Sequence, residues 1–136
     1  MKELNIAATV ENIEVVTDFV NEQLEALECP MKAQSQIDVA IDELFGNIAH
    51  YAYAPEVGDA TVRVEAIEDP HAVVITFIDQ GVPYDPLAKE DPDVTLSAEE
   101  RKIGGLGIYM VKKTMDEITY AYKDGQNVLS IKKKLQ

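Results

Sequence analysis

The sequence has little cysteine, histidine or basic charge, and it has no long apolar run. Cys29 is the only cysteine, so the chain cannot form an internal disulfide, which is compatible with a reducing compartment. No apolar stretch approaches the roughly 20 residues that cross a bilayer, and the N-terminus lacks the apolar segment of a signal peptide. We therefore expect a cytoplasmic protein without a membrane partner.

The shortage of basic residues limits the classes of ligand. The 136 residues include 25 acidic and 12 basic side chains, for a net charge of −13. A negative field disfavours nonspecific binding to DNA or RNA, so no direct nucleic-acid contact is expected. A nucleotide is still allowed, because a small ligand depends more on its local site. The two histidines and Cys29 lack the spacing of a metal site.

The apolar pattern indicates an α+β fold in a single domain spanning residues 1–136. Apolar alternation and short apolar runs predict strands near residues 4–8, 61–67, 72–78, 118–122 and 127–131. Helical periodicity predicts helices from Ile13 to about Cys29, from about Ser35 to Ala54, and from Leu106 to Met115. The resulting order favours a two-layer sandwich, in which helices cover one face of a mixed, mainly antiparallel sheet.

The central predicted helix carries Glu43 and Asn47, whose spacing of four residues points both side chains the same way. A carboxylate can accept a proton from an attacking hydroxyl, and an amide oxygen suits Mg²⁺. The alternative is a solvated helix flank, because polar pairs at this spacing are common. His50 falls on the same flank, where we expect it to pack rather than to react.

Asp79, Gln80 and Gly81 follow the most apolar predicted strand. A carboxylate beside a glycine that lets a ligand approach the backbone suits the amine of a purine. An ordinary turn would favour the same residue types. The segment from Val82 to Ile103 is acidic and interrupted by prolines, and we interpret it as a lid, because long loops in compact domains are usually functional or mobile.

Three glycines lie at the start of the third predicted helix, at Gly104, Gly105 and Gly107. Glycines in this position let backbone N–H groups face an anion, to which the helix N-terminus adds positive partial charge. The pattern predicts a phosphate site, with a hinge for the lid as the alternative. It is not a Walker A loop, because no Lys-Ser/Thr pair follows.

Together, the three motifs resemble those of the gyrase, heat-shock chaperone, histidine kinase and mismatch-repair (GHKL) ATPase superfamily. Within it, the sequence is most similar to the small anti-sigma factor serine/threonine kinases. Residues 37–53 resemble the N box of that family, residues 79–81 its first glycine box and residues 104–111 its second. The likeness covers nearly the whole chain and implies a histidine-kinase-like ATPase fold.

The resemblance also implies a role for each motif residue. Glu43 would be the general base, and Asn47 would bind Mg²⁺. Asp79 would hold the adenine amine, with Gly81 lining the pocket for the base. The residues that would wrap the phosphates are Gly104, Gly105, Leu106 and Gly107.

The function that the resemblance implies is Mg²⁺-dependent ATP phosphotransfer to a serine or threonine of a small anti-sigma-antagonist (STAS-type) protein. It further implies that the protein sequesters a sigma factor, commonly as a homodimer. An alternative is a nucleotide-gated binding module without phosphotransfer. The catalytic domain of a sensor histidine kinase and a gyrase-type clamp fit less well, because these 136 residues leave no room for a phosphoacceptor or transducer domain.

Overall fold

A computed structural model describes residues 1–68, 71–88 and 106–135. Within these ranges lie three helices, namely α1 (Ile13–Ala26), α2 (Met31–Asn47) and α3 (Leu106–Thr114). The strands are β1 (Lys2–Ala7), β2 (Asp59–Glu68), β3 (His71–Asp79), β4 (Glu117–Lys123) and β5 (Gln126–Lys134). This order is the predicted one and confirms the α+β class. None of the described helices is long and apolar enough to span a bilayer.

The strands form one sheet in the order β1-β2-β3-β5-β4. The predicted hairpins β2-β3 and β4-β5 are both present, and β5 pairs with β3 at the centre. Every pairing in the described ranges is antiparallel, so the expectation of a mixed sheet needs correction. β4 does run parallel to β3, but the two strands do not pair with each other because β5 lies between them.

A tight turn at Asp124 and Gly125 joins β4 to β5. Both residues have positive φ angles, 55° and 76°, as a two-residue hairpin turn requires. The turn places Tyr122 opposite Asn127 and Tyr120 opposite Leu129. The predicted Asp-Gly hairpin is therefore confirmed, and its register directs Asn127 and Leu129 to the face covered by helices.

The core lies between the helices and this face of the sheet. Its largest fully buried side chains are Phe45, Phe77, Leu24, Ile37, Ile41, Ile75, Ile131, Val16, Val20, Val62, Val73 and Val111. Each such side chain contributes about 1.5–3 kcal/mol when it leaves water. α2 supplies its apolar positions at helical spacing, so the polar flank of the same helix is held at the edge of the core.

Three predicted boundaries differ from the structure. α1 ends at Ala26 rather than near Cys29, because Glu28 adopts a positive φ of 55°. α2 begins at Met31 rather than near Ser35, directly after Pro30, whose backbone is extended. Regular α-helix ends at Asn47, and residues 48–52 continue as a wider π-helical turn. Such turns are frequent at functional sites.

Much of the predicted lid lies outside the described residues, and so do Gly104 and Gly105 of the predicted phosphate loop. The described beginning of the lid runs from Val82 to a short 3-10 turn at Pro86–Ala88. The Val82 backbone N–H donates a hydrogen bond to the Ala52 carbonyl at 2.9 Å. This bond ties the exit of β3 to the π-helical turn.

Candidate functional site

α2 holds Glu43 and Asn47 at the rim of the core. Both residues are half-buried, while the neighbouring Leu44 and Phe45 are buried beneath them. Because the buried side chains fix the rotation of the helix, the two polar side chains are held in a defined direction. The prediction from their spacing, that both lie on one flank of the apolar face, agrees with this burial pattern.

The carboxylate of Glu43 lies against Gly107, in the first turn of α3. A Cβ atom at position 107 would overlap the carboxyl carbon and both carboxyl oxygens of Glu43. α3 begins at Leu106, so the carboxylate lies at a helix N-terminus, where free N–H groups and the helix dipole favour negative charge. The structure thus brings the predicted base to the described end of the predicted phosphate loop.

A small cavity of about 40 Å³ opens beside Asn47, between α2, the π-helical turn and the end of β3. Two predicted site residues, Asn47 and Asp79, contribute to its walls. The other lining residues are Leu44, Ile48, Tyr51, Ala52, Phe77, Val82, Tyr84, Pro86, Tyr120, Asn127 and Leu129.

Asp79 is a buried carboxylate at the end of β3, with 6% of its surface exposed. Its Oδ1 atom accepts two hydrogen bonds, from the Gly81 backbone N–H at 2.9 Å and from the Asn127 side-chain amide at 2.9 Å. Its Oδ2 atom accepts none from the part of the chain that the structure describes. One oxygen of Asp79 is therefore hydrogen-bonded within the protein, and the other remains an acceptor for a ligand.

Asn127 is a site residue that the sequence analysis missed. Its amide nitrogen donates to Asp79 Oδ1 and to the Val82 carbonyl at 2.8 Å. Its amide oxygen accepts from the Tyr84 backbone N–H at 3.2 Å and from the Tyr120 hydroxyl. The nitrogen of the amide faces two acceptors and its oxygen faces a backbone N–H donor, so these partners determine the orientation of the amide group.

A signal for Asn127 was present in the sequence. Every second residue of a strand lies on the same face, so Asn127, Leu129 and Ile131 all point toward the helices. An amide in a row of core positions is expensive unless its hydrogen bonds are satisfied. A polar residue on the covered face of a predicted strand therefore marks a candidate site residue.

Gly81 allows two backbone segments to approach closely. A Cβ at this position would overlap the carbonyl group and side chain of Ala52. In the described structure the cavity wall at this point comes from Asp79 and Val82, whereas Gly81 packs behind it against the π-helical turn. The glycine thus lets the turn carrying Ala52 contact the exit of β3.

Tyrosines surround the cavity. The rings of Tyr51 and Tyr84 contact each other with centroids 6.0 Å apart, and both residues line the cavity. Tyr53, outside the lining, donates to the Asp59 carbonyl at 2.6 Å and accepts from the Gln80 backbone N–H at 2.8 Å. Burial raises the pKa of Tyr53, although the Gln80 hydrogen bond acts in the opposite direction.

Burial likewise raises the pKa of the Tyr120 phenol, with the Tyr84 N–H acting in the opposite direction. Tyr120 therefore stays a hydrogen-bond donor to Asn127 at neutral pH. His50 is exposed and contacts the Tyr51 ring at a centroid distance of 6.0 Å, so it packs against a surface tyrosine rather than against the core. The π-helical turn changes the angular spacing after Asn47, which the prediction from a regular helix did not include.

Comparisons with known proteins identify the family and the fold. A family described as histidine kinase-like ATPase domain matches residues 6–133. The serine-protein kinase RsbW of Bacillus cereus is 33% identical over 98 residues, which cover 69% of this chain and 60% of the relative. RsbW of Bacillus mycoides is 31% identical over the same coverage. The chain thus spans about 60% of the length of these curated relatives.

Two solved structures share the fold. The RsbU and RsbW domains of a Mycobacterium tuberculosis protein match with a TM-score of 0.67 at 18% identity, covering 99% of this chain and 33% of that one. The Acinetobacter baumannii histidine kinase AdeS matches with a TM-score of 0.51 at 14% identity, covering all of this chain and 70% of that one. These likenesses confirm the predicted fold class, and the family match over most of the length establishes that the chain belongs to the histidine kinase-like ATPase domain family.

Proposed function

We propose that this chain binds Mg²⁺ and ATP and transfers the γ-phosphoryl group to a serine or threonine of a partner protein, as an anti-sigma-type kinase. The observation that carries the proposal is the position of Glu43, whose carboxylate lies against Gly107 at the N-terminus of α3. One turn further along α2, Asn47 lines the same cavity as Asp79. The residues proposed as base, metal ligand and adenine contact thus lie around one cavity and the adjoining helix end.

The residues that line the cavity support a site for the adenine base. Its apolar walls, including Phe77 and Leu129, would stack against the ring, and Asp79 Oδ2 would accept a hydrogen bond from the exocyclic amine. Gly81 supports this arrangement, because it lets the π-helical turn close against the exit of β3.

The N-terminus of α3 suits the phosphates. Backbone N–H groups at the start of a helix bind anions, and the first turn of α3 lies beside the proposed base, Glu43. Leu106 opens the helix, and its backbone belongs to the same first turn. The contributions of Gly104 and Gly105 remain predictions from the sequence, because both lie outside the described residues.

Glu43 would accept the proton of the attacking hydroxyl. Phosphoryl transfer depends mainly on positioning and on electrostatic stabilisation, so a correctly oriented carboxylate and fixed backbone N–H groups are the main requirements. Buried neighbours on α2 support this role, because they hold the direction of the Glu43 side chain. The first turn of α3 provides the N–H groups beside it.

The residues present fit a magnesium ion that is shared with a nucleotide. Asn47 is half-buried, lines the cavity, and makes no side-chain hydrogen bond within the described ranges. Those ranges contain no group of three acidic, histidine or cysteine side chains that would hold a metal alone. Mg²⁺ commonly takes one or two protein oxygens together with phosphates and water. When bound, Mg²⁺ would neutralise phosphate charge.

The relatives support the proposed class of substrate. The RsbW relatives are described as serine-protein kinases, and the similarity extends over 69% of this chain. We include in the proposal a STAS-type anti-sigma-antagonist as phosphoacceptor, a sigma factor as a sequestered partner, a homodimeric state and a cytoplasmic location. The alternative function is a nucleotide-gated binding module, which would use the same cavity without phosphotransfer.

Calorimetric titration with ATP and ADP, with and without Mg²⁺, tests the binding step. We expect magnesium-dependent binding to the wild type and its loss in Asp79→Asn, because an amide nitrogen could then face the adenine amine. Absence of binding to the wild type would contradict the proposal. Retention of wild-type affinity by Asp79→Asn would remove Asp79 from the base contact.

Transfer of labelled phosphate to a STAS-type antagonist protein tests the kinase step. Glu43→Gln should bind ATP but lose transfer by about a hundredfold or more, since general-base catalysis typically contributes a factor of 10²–10⁴. The matched control is Asp42→Asn, which changes the adjacent exposed carboxylate of α2 and should retain transfer. ATP binding without any transfer by the wild type would favour the nucleotide-gated binding module.

A further inference from the structure

The two oxygens of the Asp79 carboxylate are not equivalent. Oδ1 accepts one hydrogen bond from the Gly81 N–H and one from the Asn127 amide, both at 2.9 Å. A carboxylate oxygen has about two lone-pair positions, so these donors saturate Oδ1. Oδ2 is the atom whose acceptor capacity remains for a ligand in the described structure. Asp79 therefore presents a single acceptor rather than a pair.

We propose that Asn127 determines base specificity, selecting adenine over guanine by occupying the second oxygen of Asp79. The inference rests on the proposed nucleotide binding and names the residue that makes the cavity selective. Asn127 acts through Asp79 and is a positioning residue. Its effect is to turn a carboxylate that could accept two parallel donors into one that accepts a single donor.

The hydrogen-bonding edges of the purines explain the selection. Adenine offers one exocyclic amine, which needs one acceptor. Guanine offers its N1–H and its 2-amino group side by side, a pair that matches the two oxygens of a free carboxylate. With Oδ1 saturated, guanine has to leave one N–H unpaired or displace a protein donor. An unpaired donor in a buried site lowers affinity by about tenfold to a hundredfold.

Asn127 resists displacement because every hydrogen-bonding position of its amide is used. Beyond Asp79, its nitrogen donates to the Val82 carbonyl at 2.8 Å, and its oxygen accepts from the Tyr84 N–H and the Tyr120 hydroxyl. Only 6% of the residue is exposed, so water cannot easily replace these partners. Moving Asn127 aside for guanine would break bonds to two strands and to the segment that follows β3.

The experiment measures affinities of the intact protein for ATP, GTP and purine riboside triphosphate by calorimetry. For the wild type we expect GTP to bind at least about tenfold more weakly than ATP. Purine riboside triphosphate, which lacks the amine, should also bind more weakly than ATP. Equal affinity for ATP and GTP would overturn the inference, and binding of no nucleotide would instead overturn the proposed function.

The variants Asn127→Leu and Asn127→Ser test the assigned residue. Each removes the amide donor, so Oδ1 regains acceptor capacity, and the ratio of GTP to ATP dissociation constants should fall by about tenfold. A merely structural role for Asn127 would weaken both nucleotides equally and leave that ratio unchanged, which would overturn the inference. Thermal unfolding of each variant establishes that it is folded. If neither folds, the wild-type nucleotide series decides the question.

The matched control is Ser130→Ala. Ser130 lies on β5 like Asn127, but its hydroxyl pairs with Thr76 of β3 at 2.9 Å on the face of the sheet away from the helices. The substitution removes a side-chain hydrogen bond between the same two strands without touching the cavity. Its nucleotide ratio should equal that of the wild type. A comparable loss of selectivity in this variant would show that selectivity follows general strand stability, which contradicts the inference.

Discussion

The carboxylate of Glu43 occupies the space that a side chain at position 107 would need. Two distant parts of the sequence therefore depend on each other: α2 can present its carboxylate to the start of α3 only because residue 107 has no Cβ. The contact joins the predicted base to the predicted phosphate loop. It also makes the glycine a requirement of this arrangement, beyond its effect on backbone freedom.

Gly107→Ala should displace the Glu43 carboxylate and lower ATP-dependent phosphotransfer while changing stability little. The new Cβ would overlap the carboxyl group, which is the end of a flexible side chain and can rotate away. The gain of about 0.5–1 kcal/mol that Gly-to-Ala normally gives inside a helix would offset part of the cost of this movement. Urea unfolding and the transfer assay measure the two effects.

Gly46→Ala is the control for that substitution. Gly46 lies in α2, and the nearest atom to a Cβ there is the end of the Ile13 side chain at 3.9 Å, which is ordinary contact. This variant should be as stable as the wild type or slightly more so. It should also retain wild-type phosphotransfer, and equal transfer by both variants would contradict the contact between Glu43 and Gly107.

Gly81→Ala should weaken the connection between β3 and the π-helical turn. Its Cβ would overlap the carbonyl of Ala52, which accepts the Val82 N–H at 2.9 Å. Because backbone atoms cannot move aside as a side-chain end can, we expect a loss of about 1–3 kcal/mol and weaker nucleotide binding. Thermal unfolding and calorimetric titration with ATP provide the measurements.

Gly125→Ala separates this steric effect from simple backbone strain. Gly125 has a φ of 76° in the β4–β5 turn, and a Cβ there would meet nothing within 4 Å. The variant should lose about 1 kcal/mol of stability and retain nucleotide affinity. If Gly81→Ala also leaves the affinity unchanged, the exit of β3 does not shape the site.

Asp38→Asn should stabilise the protein at neutral pH. The Oδ1 atoms of Asp38 in α2 and Asn21 in α1 are buried without a hydrogen-bond partner in the described structure. Burial raises the pKa of Asp38 above its usual 3.8, with the Asn21 amide acting in the opposite direction. The stability associated with a raised pKa is complete below pH 3.8 and is lost as the pH rises through the folded-state value.

At pH 7 the ionised Asp38 therefore opposes folding, and the neutral amide should gain up to about 1 kcal/mol. The gain should disappear below pH 3.8, where Asp38 is protonated in both states. Urea unfolding at both pH values measures the difference. Asp18→Asn, at an exposed carboxylate of α1, is the control and should change stability little. A destabilised Asp38→Asn at pH 7 would contradict the sign of this linkage.

Local pattern was sufficient for the order of elements and for part of the site. The helical period located α2, and the i, i+4 rule placed Glu43 and Asn47 on one flank. The Asp-Gly pair located the β4–β5 turn, where both residues have positive φ. These features depend on neighbours within a few residues, and such interactions can be inferred without knowing how distant segments pair.

The α+β class, the hairpins and the polar flank of α2 could be predicted from the sequence, because each follows from a short-range period or a turn. Two contacts could be found only in the folded structure: Asn127 binds Asp79, a residue 48 positions away, and Glu43 lies against Gly107. Both contacts depend on which strands are neighbours and on how the helices lie across them. The pairing of β5 with β3 brings Asn127 to the end of Asp79's strand, and the packing of α2 beside α3 brings the carboxylate to the glycine.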